Sequence, residues 1–148
     1  MKSVSASPGS FLTKTGKPGS SSANEAVYVA GVGVISAIGN SVAESLAALT
    51  SGNAGIAAMK RLESVHKEEL PVAEVKLTNE ALAEIAGLPS NISRTALLST
   101  VAAREALASA GINIGDWRTG FISANSVGGM DKTEDFFEDF LKDNSDGH

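Results

Sequence analysis

At 148 residues, with 43% apolar and 20% charged side chains and a net charge of −5, the chain has the size and apolar content of one soluble globular domain. It contains no cysteine, which excludes disulfides, thiolate metal sites and a cysteine nucleophile within its own length. No apolar run approaches the ~20 residues of a membrane-spanning helix, and the opening MKSVSASPGS lacks the apolar stretch of a secretory signal, so the expected compartment is the cytoplasm.

Charge is unevenly spread. Residues 1–24 carry three lysines and no acid, whereas residues 131–148 carry seven acids and two lysines. Nothing resembles the concentrated basic face of a nucleic-acid binder, and the acidic run reads as a solvated helix face. Residues 1–24, rich in Ser, Gly, Thr and Lys without periodicity, read as a flexible tail or an added leader, leaving residues 25–148 as the domain.

Within that domain an apolar run from Val27 through Val29 and Ala30 to Gly31-Val-Gly33 predicts a buried, central strand ending in a tight turn. Ser41 followed by Glu44 is a capping-box pattern, and Val42, Leu46 and Leu49 predict a helix with one apolar stripe against a sheet, closed by Gly52 and Gly55. A short extended stretch is expected at residues 72–75 after Pro71. Thr78 or Asn79 then caps a short helix that turns Leu82 and Ile85 inward and stops at Gly87 and Pro89.

Ser93 caps a longer alanine-rich helix whose small residues permit close approach to a neighbour. Gly111 ends it in a left-handed turn, with Ile112 packing back on the last turn. Gly120 to Ala124 predicts a second buried strand, followed by the loop Asn125-Ser-Val-Gly-Gly129, where loss of side-chain bulk allows close approach to the backbone. Asp131 with Glu134 then opens a helix presenting Phe136, Phe137, Phe140 and Leu141 on one face. Strand, helix, helix and strand in this order imply a layered α/β arrangement with parallel pairing.

Gly31-Val-Gly33-Val-Ile-Ser36 between a strand and a helix has part of the dinucleotide-binding fingerprint. Ser36 replaces its third small residue, and no acid ends a second strand about twenty residues on, where ribose recognition requires one. A small nucleotide-binding module is thus one alternative.

A second reading accounts for more of the chain. VYVAGVGVISAIGNSVAESLAAL resembles the opening strand, turn and helix of β-ketoacyl-acyl-carrier-protein synthases, and LTSGNAGI resembles the loop that follows. SRTALLSTVAAREALASAGI is similar to the family's long alanine-rich helix, and TGFISANSVGGM to its next strand and double-glycine loop. These matches occur in the family's order over residues 27–141.

The resemblance implies an incomplete amino-terminal half of a thiolase-like fold, a layered mixed sheet with helices. It implies decarboxylative condensation of acyl and malonyl thioesters in fatty-acid or polyketide-type synthesis, with a cysteine nucleophile and two histidines. The implied partners are an acyl carrier protein and a second subunit, as homodimer or as heterodimer with a related chain; neither a cofactor nor a metal is implied. In relatives the cysteine follows the double glycine and both histidines lie in the second half. The fragment is therefore expected to be inactive by itself. Some relatives lack the cysteine and act as chain-length factors, a non-catalytic alternative.

The resemblance places Val127 and Gly128 at the acyl tunnel, with Val127→Phe expected to shorten the preferred acyl chain of a complete enzyme. Gly128 and Gly129 are also expected to relieve backbone strain. Arg94 is the sole basic candidate where relatives receive the acidic carrier, so the carrier surface lies elsewhere or depends less on charge. Neither His66 nor His148 has partners at metal-ligand spacing. The terminal DNSDGH lacks the late glutamate of a calcium loop.

Overall fold

The computed structural model describes residues 26–113, 115 and 118–145. The expected tail over residues 1–24, His148 and the end of DNSDGH lie outside the described residues. Among the described residues, four helices and one two-stranded sheet make a mixed α/β arrangement: α1 Val42–Thr50, β1 Ala57–Ala58, β2 Pro71–Val72, α2 Asn79–Ala86, α3 Arg94–Ala110 and α4 Met130–Lys142.

The first three helices begin and end where local chemistry directs. The hydroxyls of Ser41, Thr78 and Ser93 accept the amides of Glu44, Ala81 and Ala96, satisfying donors that a first helical turn leaves unpaired. At α1 the Glu44 carboxylate reaches one residue farther back than in a capping box, accepting the Asn40 amide at 2.8 Å. Gly52, Gly87 and Gly111 all have φ between 65 and 68°, and each helix closes with the paired carbonyl hydrogen bonds of a Schellman turn. At the end of α3, for example, the Gly111 amide donates to the Ala108 carbonyl and the Ile112 amide to that of Leu107.

The core lies between α2 and α3. Leu82 and Leu97 are fully enclosed, joined by Ala83, Ala86 and Val101, with Ile35, Leu77, Ile92 and Leu98 packed around them. Arg104 donates to the Ala86 carbonyl at 2.8 Å, placing a cation at the electronegative end of α2. Residues 31–34 run antiparallel along the other end of α3. A Cβ on Gly31 would stand 2.7 Å from the Ala110 amide nitrogen, and one on Gly33 2.7 Å from that of Ala106. Absence of side chains on these two glycines lets the backbone lie directly on the alanines of α3.

Several expectations are corrected. Residues 27–30 form no strand: Val27 is 97% and Val29 84% exposed, so this segment is neither buried nor central. Residues 120–124 are likewise outside any strand, with Ile122 96% exposed. A strand exists only where a neighbouring strand accepts from its amides and donates to its carbonyls, and no described residue does so for either segment. The pairing that forms is antiparallel, not parallel, matching Ala57 with Val72 and Ala58 with Pro71. It bears out extended structure directly after Pro71 but ends at Val72, short of residue 75.

Helix faces also differ from expectation. In α1, Ser45 and Ala48 are buried while Leu46 and Leu49 face outward, because no sheet covers the leucine stripe. In α2, Ile85 is half exposed and Ala83 and Ala86 take the inward positions, allowing α2 to approach α3 closely. Asp131 and Glu134 do not open α4: its cap is Gly129, at φ 77°, with no side-chain cap hydrogen bond. The aromatic face of α4 is exposed, Phe136 and Phe137 each lying within 6.4 Å of Phe140, ring centre to ring centre.

Candidate functional site

Three carboxylates, distant in sequence from their partners, fix the backbone around α3. Glu105 accepts the amides of Val34 and Val42, each at 2.9 Å, and so ties the glycine turn and the first residue of α1 to α3. Glu74 accepts the amides of Lys60 and Leu62 at 2.8 Å and that of Arg61 at 3.2 Å. These backbone donors, Leu62 and Lys60 foremost, hold the Glu74 carboxyl below the usual glutamate range. Asp131 accepts the amide of Arg94, the first residue of α3, at 3.0 Å.

The Arg94 side chain is turned inward. Its guanidinium donates to Asn79 Oδ1 and the Val75 carbonyl at 2.8 Å and to the Leu77 carbonyl at 3.0 Å, binding the approach to α2 against α3. Burial lowers its pKa from the ordinary arginine value, with the nearby Arg61 cation acting in the same direction. Arg94 therefore has a structural employment. Arg61, Arg94, Glu74 and Asp131 all line a cavity of about 660 Å³ whose charges are held by backbone groups of the protein itself.

Beside the start of α3 lies a second, open cleft of about 340 Å³. Ser93, Thr95, Ala96, Ser99 and Thr100 form one wall; Phe121, Ser123, Asn125, Gly128 and Gly129 form the other. Ser99 and Thr100 donate their hydroxyl protons to the carbonyls of Thr95 and Ala96, at 2.8 and 2.9 Å, which leaves oxygen lone pairs as acceptors. Among the described residues, those lining the cleft offer apolar contact from Ala96 and Phe121 and hydrogen-bonding groups from the serine and threonine hydroxyls and the Asn125 amide.

The two glycines of the loop serve different ends. A Cβ on Gly128 would meet the Asn125 side chain at 2.6 to 2.8 Å, so Gly128 makes room for Asn125, whereas Gly129 supplies the left-handed conformation from which α4 starts. The expected relief of backbone strain thus applies to Gly129, and steric room is the requirement at Gly128. Gly128 lines the cleft. Val127, adjacent to it, is 65% exposed and outside the lining.

His66 Nδ1 lies 3.2 Å from Glu69 Oε2 in an exposed pair one helical turn apart. Asp143 Oδ1 accepts both the amide and the hydroxyl of Ser145, at 2.9 and 2.6 Å, which pulls its pKa below the usual aspartate range. Among the described residues no three His, Asp or Glu side chains converge as a metal site, and no helix is long and apolar enough to cross a membrane.

The roles of Glu105, Glu74 and Asp131 were not visible in the sequence. The one available signal was Glu105 itself, a lone acid on the otherwise small and apolar stripe of α3. Comparison of the chain with protein-family models, with curated proteins and with solved structures finds no match.

Proposed function

We propose that the chain is the amino-terminal part of a β-ketoacyl-acyl-carrier-protein synthase, a cytoplasmic acyltransferase that condenses acyl and malonyl thioesters carried on an acyl carrier protein. The observation that carries this reading is the order of four sequence motifs along residues 27–141: the VYVAGVG run leading into α1, the glycine loop, the alanine-rich helix and the double-glycine loop. The seating of Gly31 and Gly33 on Ala106 and Ala110 supports it, since the first and third motifs are thereby packed together. The open cleft between α3 and the double-glycine loop supports the assignment of that loop to an acyl-binding wall.

In the proposed reaction a cysteine thiolate attacks the thioester of the acyl carrier, taking the acyl group as an enzyme thioester and releasing the carrier thiol. The malonyl carrier loses carbon dioxide, and the resulting carbanion attacks the acyl carbon, forming the new carbon–carbon bond and releasing the thiolate. This chain has no cysteine, so the reading assigns that step to residues beyond it. What the visible residues contribute is a wall of the acyl site and the framework behind it. The complete enzyme is proposed to be a dimer.

The nucleotide-binding alternative is disfavoured by the start of α1. There the Val42 amide already donates to Glu105 and the Glu44 amide to Ser41, and a carboxylate stands where a pyrophosphate would have to bind. Reading the coding sequence past the codon for His148 tests the proposal. A cysteine at a strand-to-helix junction followed by two well-separated histidines supports a condensing enzyme. Another residue in the cysteine position makes the protein a chain-length factor, and an immediate stop codon contradicts both.

A further inference from the structure

Asp131 occupies an unusual place for a helix acid. It is the second residue of α4 and the half-buried member of a helix in which no residue is fully buried. Its carboxylate turns away from its own helix to accept the amide of Arg94, 37 residues distant, at 3.0 Å. Arg94 directly follows Ser93, a residue of the cleft, and Asp131 lies two residues after Gly129, a residue of the cleft's other wall. The Gly129 carbonyl in turn accepts the amides of Lys132 and Thr133 at 3.0 Å, making the glycine one piece with the first turn of α4.

Neither Gly128 nor Gly129 has a side chain with which to anchor the loop, and Phe136, Phe137 and Phe140 of α4 are 39–54% exposed. Besides the close approach of Gly129 to Ser93, the tie between the two walls is the hydrogen bond from the Arg94 amide to the Asp131 carboxylate. We propose that Asp131 is a positioning residue that seats the double-glycine loop against the start of α3 and so sets the width of the cleft. In a condensing enzyme, the reading on which this second part rests, that width selects the acyl chain.

The test compares Asp131→Ala with Asp131→Asn, which keeps an acceptor oxygen at the same reach. In this chain, kept dilute, residue-resolved hydrogen exchange should show the Arg94 amide exchanging about tenfold faster in the alanine variant, as for loss of a helix cap. Gly129 to Thr133 should loosen with it, Leu82 and Leu97 should not, and asparagine should restore both. In the product of the complete coding sequence, alanine should change the ratio of kcat/KM between short and long acyl carriers by about tenfold, and asparagine should restore it.

Unchanged exchange at Arg94 and the loop overturns the positioning role. A loosened loop with an unchanged acyl ratio overturns the selection of chain length. Failure of the unsubstituted full-length protein to condense any acyl carrier overturns the functional reading instead, and hydrogen exchange alone then decides whether Asp131 positions the loop.

Discussion

The Glu105 carboxylate joins Val34 and Val42 by accepting both backbone amides at 2.9 Å, so that one side chain of α3 holds the two ends of the turn leading into α1. Charged acceptors make stronger hydrogen bonds than neutral ones, and here they do work that neighbouring strands do elsewhere. Glu105→Ala leaves both amides without this partner and should destabilise the chain by about 1–3 kcal/mol. Glu105→Gln, with one carbonyl oxygen, should fall between. Urea unfolding measures the loss, and hydrogen exchange at Val34 and Val42 locates it; unaltered exchange at both amides would contradict the tie.

Glu74 gives a pH dependence whose sign follows from its environment. The amides of Leu62, Lys60 and Arg61 favour the carboxylate and depress its pKa in the folded chain. The contribution is therefore complete above the ordinary glutamate pKa of about 4.3 and is lost as pH falls through that value to the lower folded one. Amide resonances of residues 60–62 should hold steady above about pH 5 and move together below it. Glu74→Gln should abolish that titration, and its persistence in the variant would assign it to another group.

Two glycine substitutions should separate steric need from conformational need. Gly33→Ala drives a Cβ into the backbone of α3 at Ala102 and Ala106, so residues 31–34 must lift from the helix at a cost of about 1–3 kcal/mol. Gly52→Ala meets nothing within 4 Å but must retain φ 68°, costing about 1 kcal/mol from backbone conformation alone. Exchange at Val34 should rise in the first variant and stay unchanged in the second. Equal effects on Val34 would contradict the close seating of Gly33.

These relationships mark how far the sequence could be read. The caps at Ser41 and Ser93, the choice of Thr78 or Asn79 before α2, the helix stops at Gly52 and Gly87 and the left-handed turn at Gly111 were legible because donor, acceptor and glycine lie within a few residues of one another. The ties from Glu105 and Asp131 span 71, 63 and 37 residues and have no local signature. The apolar runs at residues 27–30 and 120–124 have strand-like composition, yet strand formation depends on partners that a run of residues does not specify. Likewise Gly128 was legible as a close-approach residue, but not that Asn125 is what approaches.

The uncovered surfaces predict behaviour in solution. Val27, Val29, Leu46, Leu49, Phe121, Ile122, Phe137 and Leu141 are all more than half exposed. Exposed apolar area on this scale favours association. The isolated chain should bind a hydrophobic dye and sediment as species that grow with concentration. A monodisperse monomer with a cooperative melt would contradict that expectation.

The condensing-enzyme reading is tested most directly by expressing the complete coding sequence and supplying acyl and malonyl groups on acyl carrier protein. The account predicts a 3-oxoacyl carrier lengthened by two carbons, one carbon dioxide released per product, and loss of the 3-oxoacyl product after alkylation of the enzyme's thiols. A folded full-length protein that yields neither product nor carbon dioxide across short and long acyl carriers would contradict it.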